Sequence, residues 1–429
     1  MIWRNNKKIN YLFVAFVAEL LLMFYLRNDV GYILSPLLIT TSGIFLAVYP
    51  YFIILKAEPK VTCNKEPIAY LYCIKRWSWI GFVCLSVIFI FSSYLLFQAQ
   101  PVNIAQSDII PFIRDVMVKR FINGEAVYAP VKFNDYPVMF TPNYLPFQWL
   151  PFALAVLANV DMRWISVLAF ISSTAFYIYN NNKSDVQNKN KLWHAFLPFA
   201  VLFSIYIKQP RDAAHTIEIL IMAYYLFLSS ALFVKGSFIK GLSLTLPLLS
   251  RFSLLFWLPV YFYDLLSTSF KTFLLSGLML LCFILVFFIM PFVLPDPAFL
   301  KTFNDIYLDG AIGEWNGQAW QQPGDRPFQL FQGFGFASWF YMFFDGSLKE
   351  KILALKMTLM IVCVISLLIP IFTYKKARNV VSSELFSLMA LKFCLTFFYA
   401  FILVPYIYLF WVPLMVSVVI LSRVAKEKI

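Results

Sequence analysis

The sequence predicts an all-α polytopic membrane protein, and three observations support this fold class. Hydrophobic residues make up 61% of the 429 residues and charged residues only 13%, whereas soluble domains average roughly 25% charged residues. The mean hydropathy is +0.75. Apolar runs of about 20 residues, the length of a spanning helix, recur along the chain. The sequence shows neither the alternation of a membrane β-barrel nor the repeat of a duplicated transporter.

Ten apolar segments are predicted to cross the membrane as helices: 11–27, 33–55, 77–98, 163–180, 192–207, 215–234, 270–293, 353–373, 385–401 and 403–421. Three further stretches, 141–158, 241–263 and 327–345, are short or broken by Pro, Gly or charge. We expect these three to enter the membrane and return to the same side. Glu19 and Lys392 fall inside predicted spans, so both should face the bundle interior, paired or uncharged.

The net charge of +13 is concentrated in the short loops on one side of this arrangement. These loops are 1–10, 56–76, 181–191, 235–240, 264–271, 374–379 and 422–429. Apart from 264–271, which adds one charge of each sign, they hold 19 Lys or Arg and 4 Asp or Glu. Short loops rich in Lys and Arg remain in the cytoplasm. We therefore predict a multi-pass protein of the cytoplasmic (inner) membrane with both termini cytoplasmic, and we do not expect nucleic acid as a partner.

Two long polar regions, 99–140 and 295–346, are then predicted to lie on the outer face. The second holds six acidic and two basic residues. Because topology does not require acidic, aromatic-rich outer loops, these regions are candidates for a functional site. There are only two His, and the six Cys lack metal-ligand spacing, so neither a metal nor a cofactor is expected.

The stretch "SDIIPFIRDVMVKRFINGEAVYAP", from Ser107 to Pro130, predicts an amphipathic helix along the outer interface. Its apolar residues recur at steps of three and four, and Gly124 is expected to end the helix. Asp108 lies in the first turn, where the helix dipole keeps a carboxylate ionised. It is either a capping residue or a catalytic carboxylate. The Pro-rich segment that follows should form a ledge that dips into the membrane, which requires burial in protein or a cavity.

The order Asp108, Phe112, Gly124, Tyr128 and Tyr136-Pro137 resembles the first outer loop of polyprenol-phosphate-mannose-dependent mannosyltransferases of glycosyltransferase family 87, membrane enzymes of the GT-C fold. The likeness covers roughly 80–375. It includes a basic turn followed by a lone cation within 233–262 and an Asn- and Gln-containing outer loop within 313–328. The second proline of the family's "YPP" is replaced by Val138.

The resemblance implies a GT-C-type helix bundle with outer-face amphipathic helices and re-entrant segments. Residues 77–375 would be the catalytic module, between an N-terminal hairpin with its basic loop, 1–76, and C-terminal helices, 376–429. The implied activity is inverting transfer of a sugar, with mannose as the leading candidate, from a polyprenyl-phosphate carrier to a glycan or glycolipid acceptor on the outer face. Asp108 would be the general base, and membrane lipids would be the remaining partners.

Arg251 is the strongest candidate for binding the donor phosphate, with Arg211 and Lys208 as weaker ones. A cation within an apolar stretch needs an anion or a wet cavity, and a guanidinium can bind phosphate through two N–H groups. The alternative is a salt bridge with an acid such as Asp212 or Glu218. His215 could contact donor or acceptor, because Arg211, His215 and Glu218 follow each other at steps of four and three and would share one helix face.

Further candidates for donor or acceptor contact are aromatic and amide residues of the outer loops, since aromatic faces and amides suit sugar stacking and hydrogen bonding. They are Tyr128, Tyr136, Asn143, Trp315, Asn316 and Gln318. The alternative for the tryptophans is a role as interface anchors.

Two other functions remain open from the sequence. A lipid-linked saccharide flippase or transporter would explain intramembrane charges such as Glu19, Arg251 and Lys392, and an oligosaccharide polymerase or ligase would also act at an outer-face lipid phosphate. The ledge and the helix with Asp108 favour the glycosyltransferase over the transporter.

Overall fold

The computed structural model describes residues 7–55, 68–103, 109–132, 139–183, 191–297, 299–317, 322 and 324–424. These residues form an all-α bundle, as the sequence predicts. The described residues include one antiparallel pair of two-residue strands, β1 (Val131–Lys132) and β2 (Met139–Phe140), with Val131 in register with Phe140.

The α-helices are α1 (Lys7–Leu21), α2 (Arg27–Leu55), α3 (Ile68–Ala99), α4 (Ile110–Phe112), α5 (Lys119–Ile122), α6 (Pro146–Trp149), α7 (Ala153–Leu157), α8 (Arg163–Lys183), α9 (Lys191–Lys208), α10 (Pro210–His215), α11 (Glu218–Ala231), α12 (Ser237–Leu248), α13 (Leu258–Thr268), α14 (Phe270–Ile284), α15 (Phe299–Trp315), α16 (Ala337–Phe343), α17 (Leu348–Arg378), α18 (Ser383–Ala400) and α19 (Trp411–Val424). Turns of π-helix cover Leu22–Leu26, Ile113–Val118 and Leu285–Val293. Turns of 3₁₀-helix cover Leu150–Phe152, Phe252–Leu254, Phe328–Phe331 and Ile407–Phe410.

Six helical segments of the described chain are long and apolar enough to cross a membrane, which confirms a multi-pass architecture. They are Asn10–Leu55, Trp77–Ala99, Phe270–Val293, Leu348–Arg378, Ser383–Ala400 and Ile407–Val424. Two other predicted spans, 192–207 and 215–234, contain shorter apolar helices, Phe196–Lys208 and Glu218–Ala231.

The first two predicted spans form a helical hairpin that reverses at Gly31. Gly31 has φ 83° and ψ 163° inside α2, a conformation that a residue without a Cβ adopts at little cost. Beyond this bend, Ile39 and Thr40 line the same small cavity as Glu19 of α1. The longer part of α2 therefore lies beside α1, and the helical segment of 46 residues contains two spans.

The helix predicted around Ser107–Ile122 is observed from Ile110 to Ile122. Its apolar residues are mostly buried as far as Val118, whereas Phe121 and Ile122 are exposed. Gly124 has φ 72° and donates its N–H to the Phe121 carbonyl at 3.2 Å, while the Glu125 N–H bonds to the Arg120 carbonyl at 2.8 Å. This pair of bonds is a Schellman motif. The prediction that Gly124 ends the helix is confirmed.

Four of the loops predicted to be cytoplasmic, 235–240, 264–271, 374–379 and 422–429, come together at one end of the bundle, the basic end. The Arg423 guanidinium lies 3.9 Å from the centre of the Phe233 ring. Val234, Ser269 and Arg378, from three different turns, line one cavity there. The opposite end, the ledge end, contains the Pro-rich segment 141–158 and the turns that adjoin it.

The stretch 241–263 folds as the expected re-entrant hairpin, with α12 and α13 as its two arms. Lys240 in α12 and Asp264 in α13 line the same cavity at the basic end, so the chain enters and leaves on one side. Arg251 lies at the tip between the arms, in an extended conformation with φ −149° and ψ 133°. The hairpin therefore places this arginine deep in the bundle, away from the basic end.

Two charges inside spanning helices pair with each other. Lys392 Nζ lies 2.7 Å from Glu19 Oε1 and donates to the Pro413 carbonyl at 3.0 Å. Ser417 Oγ donates to Glu19 Oε2 at 3.1 Å. Both charged side chains are almost fully buried. As expected, they face the bundle interior, and the pair joins α1 to α18 and α19.

One hydrophobic cluster passes through all three segments predicted as domains, 1–76, 77–375 and 376–429. It contains Leu12, Tyr225 and Val419, each fully buried. A smaller cluster, which includes Trp315 and Ile352, underlies the second outer region. The three segments thus share a core.

Candidate functional site

Within the ledge at 141–158, residues 145–149 are buried against the tip of the re-entrant hairpin. The Phe147 N–H donates to the Leu249 carbonyl at 2.9 Å, and Gln148 Nε2 donates to the Ser250 carbonyl at 2.6 Å. Tyr224 OH donates to the Phe147 carbonyl at 3.2 Å. Irregular backbone at this depth thereby gains hydrogen-bond partners within the protein. These contacts fix the two residues that precede Arg251.

Tyr128 holds the ledge in place. Its hydroxyl donates to the Tyr144 carbonyl at 2.9 Å and accepts from Trp149 Nε1 at 3.3 Å. The side chain is 5% exposed, and this burial raises the pKa of Tyr128 well above its usual value. Tyr128 was a candidate for sugar contact, but its hydroxyl is engaged inside the protein. Asn143, another candidate, lies half-buried on the same ledge.

Replacement of Tyr128 by Phe is expected to lower the free energy of unfolding by about 1–3 kcal/mol, because the Trp149 N–H and the Tyr144 carbonyl lose a buried partner. The measurement is the Tm of the detergent-solubilised protein. Tyr94→Phe is the control, since Tyr94 is 51% exposed and should tolerate the change. An unaltered Tm in Tyr128→Phe would contradict the assigned role.

Arg251 and Glu218 form an ion pair at the hairpin tip. Arg251 Nη2 bonds to Glu218 Oε1, and Glu218, the first residue of α11, is 1% exposed. About a quarter of the Arg251 side chain remains exposed. Glu218 Oε2 and Arg251 Nε are buried without hydrogen-bond partners among the described residues. The predicted salt bridge with Glu218 is therefore present, and it leaves part of the guanidinium available to another anion.

Hydroxyl groups hold the chain beyond Arg251. Ser253 Oγ lies 2.8 Å from Tyr225 OH and 3.3 Å from Tyr399 OH. Ser253 and Tyr225 are buried, and the contacts link the tip to α11 and α18. Together with the ledge contacts, they hold Arg251 from both sides.

The other predicted phosphate ligands, Lys208 and Arg211, are exposed at the ledge end. Lys208 Nζ lies 4.2 Å from the centre of the Tyr25 ring. Arg211 adjoins Asp212, whose pKa is raised by burial and lowered in part by Arg27 and Arg211. Both cations are accessible to an anionic ligand, but neither is held as rigidly as Arg251.

His215 is buried rather than presented to a ligand. It is 2% exposed, and its Nε2 lies 3.2 Å from Gln100 Oε1. Burial lowers the pKa of His215, with smaller contributions from Arg163 and Arg211, so the imidazole is neutral at pH 7. Its position supports a role in packing the ledge end.

The prediction that Arg211, His215 and Glu218 share one helix face is wrong. The chain is extended at Thr216, with φ −117° and ψ 170°, and α10 ends before α11 begins. Thr216 Oγ1 donates to the Asp212 carbonyl at 2.8 Å and accepts from the Glu218 N–H at 3.3 Å. Because the threonine hydroxyl competes for backbone groups, the helix breaks, and Glu218 is turned toward Arg251.

In the second outer region, Trp315 is a packing residue. It is 1% exposed, and its Nε1 donates to the Leu403 carbonyl at 2.8 Å, so the indole offers no face for sugar stacking in this conformation. Asn316, next along the chain, is exposed and remains accessible.

Asp108, Tyr136 and Gln318 lie outside the described residues. Among the residues that the structure describes, no group of three or more His, Cys, Asp or Glu is arranged to hold a metal ion.

Sequence reasoning overlooked Arg27 as a member of the ledge end. Its guanidinium lies 5.0 Å from the centre of the Phe334 ring, and its Nη1 is buried without a hydrogen-bond partner in the described chain. The sequence did indicate that Arg27 is unusual. It lies at the end of the first predicted span, on the predicted outer side, where Lys and Arg are less common than in cytoplasmic loops. The link between Trp411 Nε1 and Gln209 Oε1, at 2.8 Å, had no comparable signal.

Comparison with protein-family models, with curated proteins and with solved structures found no match for this chain.

Proposed function

We propose that the protein is an inverting glycosyltransferase that moves a sugar, with mannose as the leading candidate, from a polyprenyl-phosphate carrier to a glycan or glycolipid acceptor at the ledge end. The observation that carries this proposal is Arg251, a partly exposed guanidinium at the tip of a re-entrant hairpin, fixed by the ledge and by buried Glu218. The motif order around Asp108 supports it. On the predicted topology, the ledge end faces outward.

Arg251 would stabilise the phosphate as it leaves. Of its five N–H groups, one bonds to Glu218 and the Nε–H is buried, so those at the exposed edge can donate to two phosphate oxygens. Glu218 acts as a positioning residue, because it holds the guanidinium in one orientation. Lys208 and Arg211 would add attraction for the anionic donor at the surface.

Asp108 would be the general base. The acceptor hydroxyl gives its proton to the Asp108 carboxylate, and its oxygen attacks the anomeric carbon from the side opposite to the phosphate. The bond between that carbon and the phosphate oxygen breaks, and the electron pair stays on the phosphate, where Arg251 stabilises the charge. Attack from the opposite side inverts the anomeric configuration.

An open apolar groove supports a lipid-linked donor. It lies between α3 and α9, and Leu95, Ala99, Phe203 and Ile207 are among its lining residues. The groove approaches the ledge end, where Lys208 follows Ile207 directly. A polyprenyl chain could lie along these side chains while its phosphate reaches the basic residues.

The test is transfer of labelled sugar from polyprenyl-phosphate mannose by purified wild-type protein and by Arg251→Ala, Arg251→Lys and Glu218→Gln variants. We expect kcat/KM to fall by about 10- to 150-fold in Arg251→Ala, from loss of charge-assisted hydrogen bonds worth about 1.5–3 kcal/mol. Arg251→Lys should retain the charge but lose the bidentate contact with the phosphate, so its kcat/KM should lie between those of wild type and Arg251→Ala. Lys349→Ala, at an exposed position, is the control with full activity.

Wild-type protein that transfers no sugar from any polyprenyl-phosphate donor would reject the proposal. If the same protein moved a lipid-linked saccharide across a liposome bilayer, it would be a transporter. Transfer of a whole oligosaccharide would instead identify a polymerase or ligase.

A further inference from the structure

A second polar cavity lies at the basic end, at the opposite end of the re-entrant hairpin from Arg251. Its volume is about 530 Å³, and it is bordered by the turns that precede α12, α14 and α18. Lys235, Lys240 and Arg378 line it together with two acids, Asp264 and Glu384. None of these residues takes part in the proposed transfer reaction.

Asp264 is fully engaged within the protein. Its Oδ1 accepts from Tyr374 OH at 3.0 Å and lies 3.6 Å from Arg378 Nε. Its Oδ2 accepts from Ser387 Oγ at 2.7 Å and also from Ser383 Oγ. These partners use both carboxylate oxygens, so Asp264 and Arg378 compensate each other.

Lys240 is a largely buried cation that these contacts leave without a partner. Its side chain is 8% exposed, and among the described residues its ammonium makes no hydrogen bond and no ion pair. Burial lowers the pKa of Lys240, and Glu384 and Asp264 raise it in part from a longer distance. The ammonium is not among the fully buried atoms of the described residues that lack a partner, so it opens onto the cavity, and a charge held in a largely buried side chain without a hydrogen bond is costly. The cavity that it faces therefore suits an anion from outside the chain.

Two helices begin at the same cavity and add to its positive potential. Ser269 caps α14, which has 15 residues, and Ser382 caps α18, which has 18. Both capping residues line the cavity. The first turn of a helix presents free N–H groups and the positive end of the helix dipole, a combination that binds phosphate. Lys240 and the two helix starts thus converge on one space.

We propose that this cavity binds a phosphate group, with Lys240 as its direct ligand and Lys235 at the exposed margin. The phosphate belongs to an anionic phospholipid headgroup or is free inorganic phosphate, and the chemistry of recognition is the same for both. The basic end carries four of the loops predicted to be cytoplasmic, and the cytoplasmic leaflet is rich in anionic lipids that bind in basic pockets between helices. The site is independent of the proposed transfer activity.

The experiment compares the Tm of purified protein in neutral detergent alone, with added phosphatidylglycerol, with added phosphatidylcholine, and with inorganic phosphate. A ligand at about 100 times its Kd should raise the Tm by several degrees, roughly 3 °C or more. Lys240→Met should abolish the rise or weaken the apparent affinity at least about tenfold. Its Tm without ligand should not fall, because the variant removes an unpaired buried charge. Lys375→Met, an exposed lysine at the same end, is the matched control and should keep the full rise.

A rise with phosphatidylglycerol alone would identify a lipid headgroup as the source, and a rise with inorganic phosphate as well would identify a free phosphate site. Glu384→Gln should enlarge either response, because it removes a negative charge from the lining. The proposal is overturned if wild-type protein responds to neither phosphate source, or if Lys240→Met responds as strongly as wild type. Since Tm is the readout, these outcomes are separate from success or failure of the transferase assay.

Discussion

Replacement of Asp108 by Asn is expected to lower kcat for sugar transfer by about 10²- to 10⁴-fold, the usual contribution of a general base. Asparagine keeps the size and hydrogen-bonding capacity of the side chain but cannot accept the acceptor's proton. The measurement is the initial rate of transfer at saturating polyprenyl-phosphate mannose, over a range of pH. The acidic limb of the wild-type pH profile should disappear in the variant, while KM for the donor should change little.

Asp115→Asn is the matched control for this prediction. Asp115 lies on the polar face of the helix observed from Ile110 to Ile122 and pairs with Arg114 at 2.8 Å and with Lys119 at 3.2 Å. Partly exposed pairs of this kind contribute up to about 1 kcal/mol, so this variant should transfer sugar nearly as fast as wild type. Full activity in Asp108→Asn, or equal loss in both variants, would remove Asp108 from the mechanism.

Replacement of Lys392 by Met is expected to lower the free energy of unfolding by about 3–5 kcal/mol. The loss follows because Glu19 would be left as an unpaired charge in the bundle interior, where its attraction to Lys392 no longer offsets desolvation. The measurement is the Tm and the denaturant midpoint of the detergent-solubilised protein. Lys349→Met, an exposed lysine, should leave both values unchanged.

The double variant Glu19→Gln with Lys392→Met separates this mechanism from simple loss of packing. Removing both charges should restore most of the stability, because replacing a complete buried pair by neutral groups is often nearly neutral in free energy. If the double variant is as unstable as Lys392→Met, the effect comes from the shape of the lysine side chain and not from the orphaned carboxylate.

Features that depend on local chemistry were predictable from the sequence. Gly124 ends its helix because only glycine readily adopts the conformation that the cap requires, and this signal is contained in a few residues. The re-entrant hairpin was predictable because 241–263 is too short to cross twice and carries a charge. The general fold class follows from the apolar runs alone.

Features that depend on contacts between distant residues were not predictable in the same way. Glu19 and Lys392 were each expected to be paired or uncharged, but nothing local shows that residues 373 positions apart are partners. The Gln148 contact with the Ser250 carbonyl spans 102 positions and likewise depends on the tertiary fold. Trp315 carries the signature of a sugar-stacking residue, yet packing against the Leu403 region decides its role.

For the candidate site, the sequence therefore predicted which residues are important better than it predicted how they are arranged in space. Arg251 was identified as the principal cation and Glu218 as one of two possible partners. The error at Thr216 arose because helix periodicity was extended across a residue whose hydroxyl can break a helix. Arg27 was missed although its place at the end of a predicted span was an indication, because its electrostatic partner Asp212 lies in α10 and comes near only in the tertiary fold.

The Glu19–Lys392 pair has a consequence for how the protein is made. Glu19 leaves the ribosome 373 residues before Lys392, a delay of about 20 to 75 seconds at roughly 5–20 residues per second. During that interval the first hairpin must be held at the translocon, at the bilayer surface or by an insertion chaperone, with its carboxylate hydrated or protonated. Biogenesis of the bundle thus finishes only when its late helices arrive, and nascent chains that stall before Lys392 should be substrates for membrane quality-control proteases.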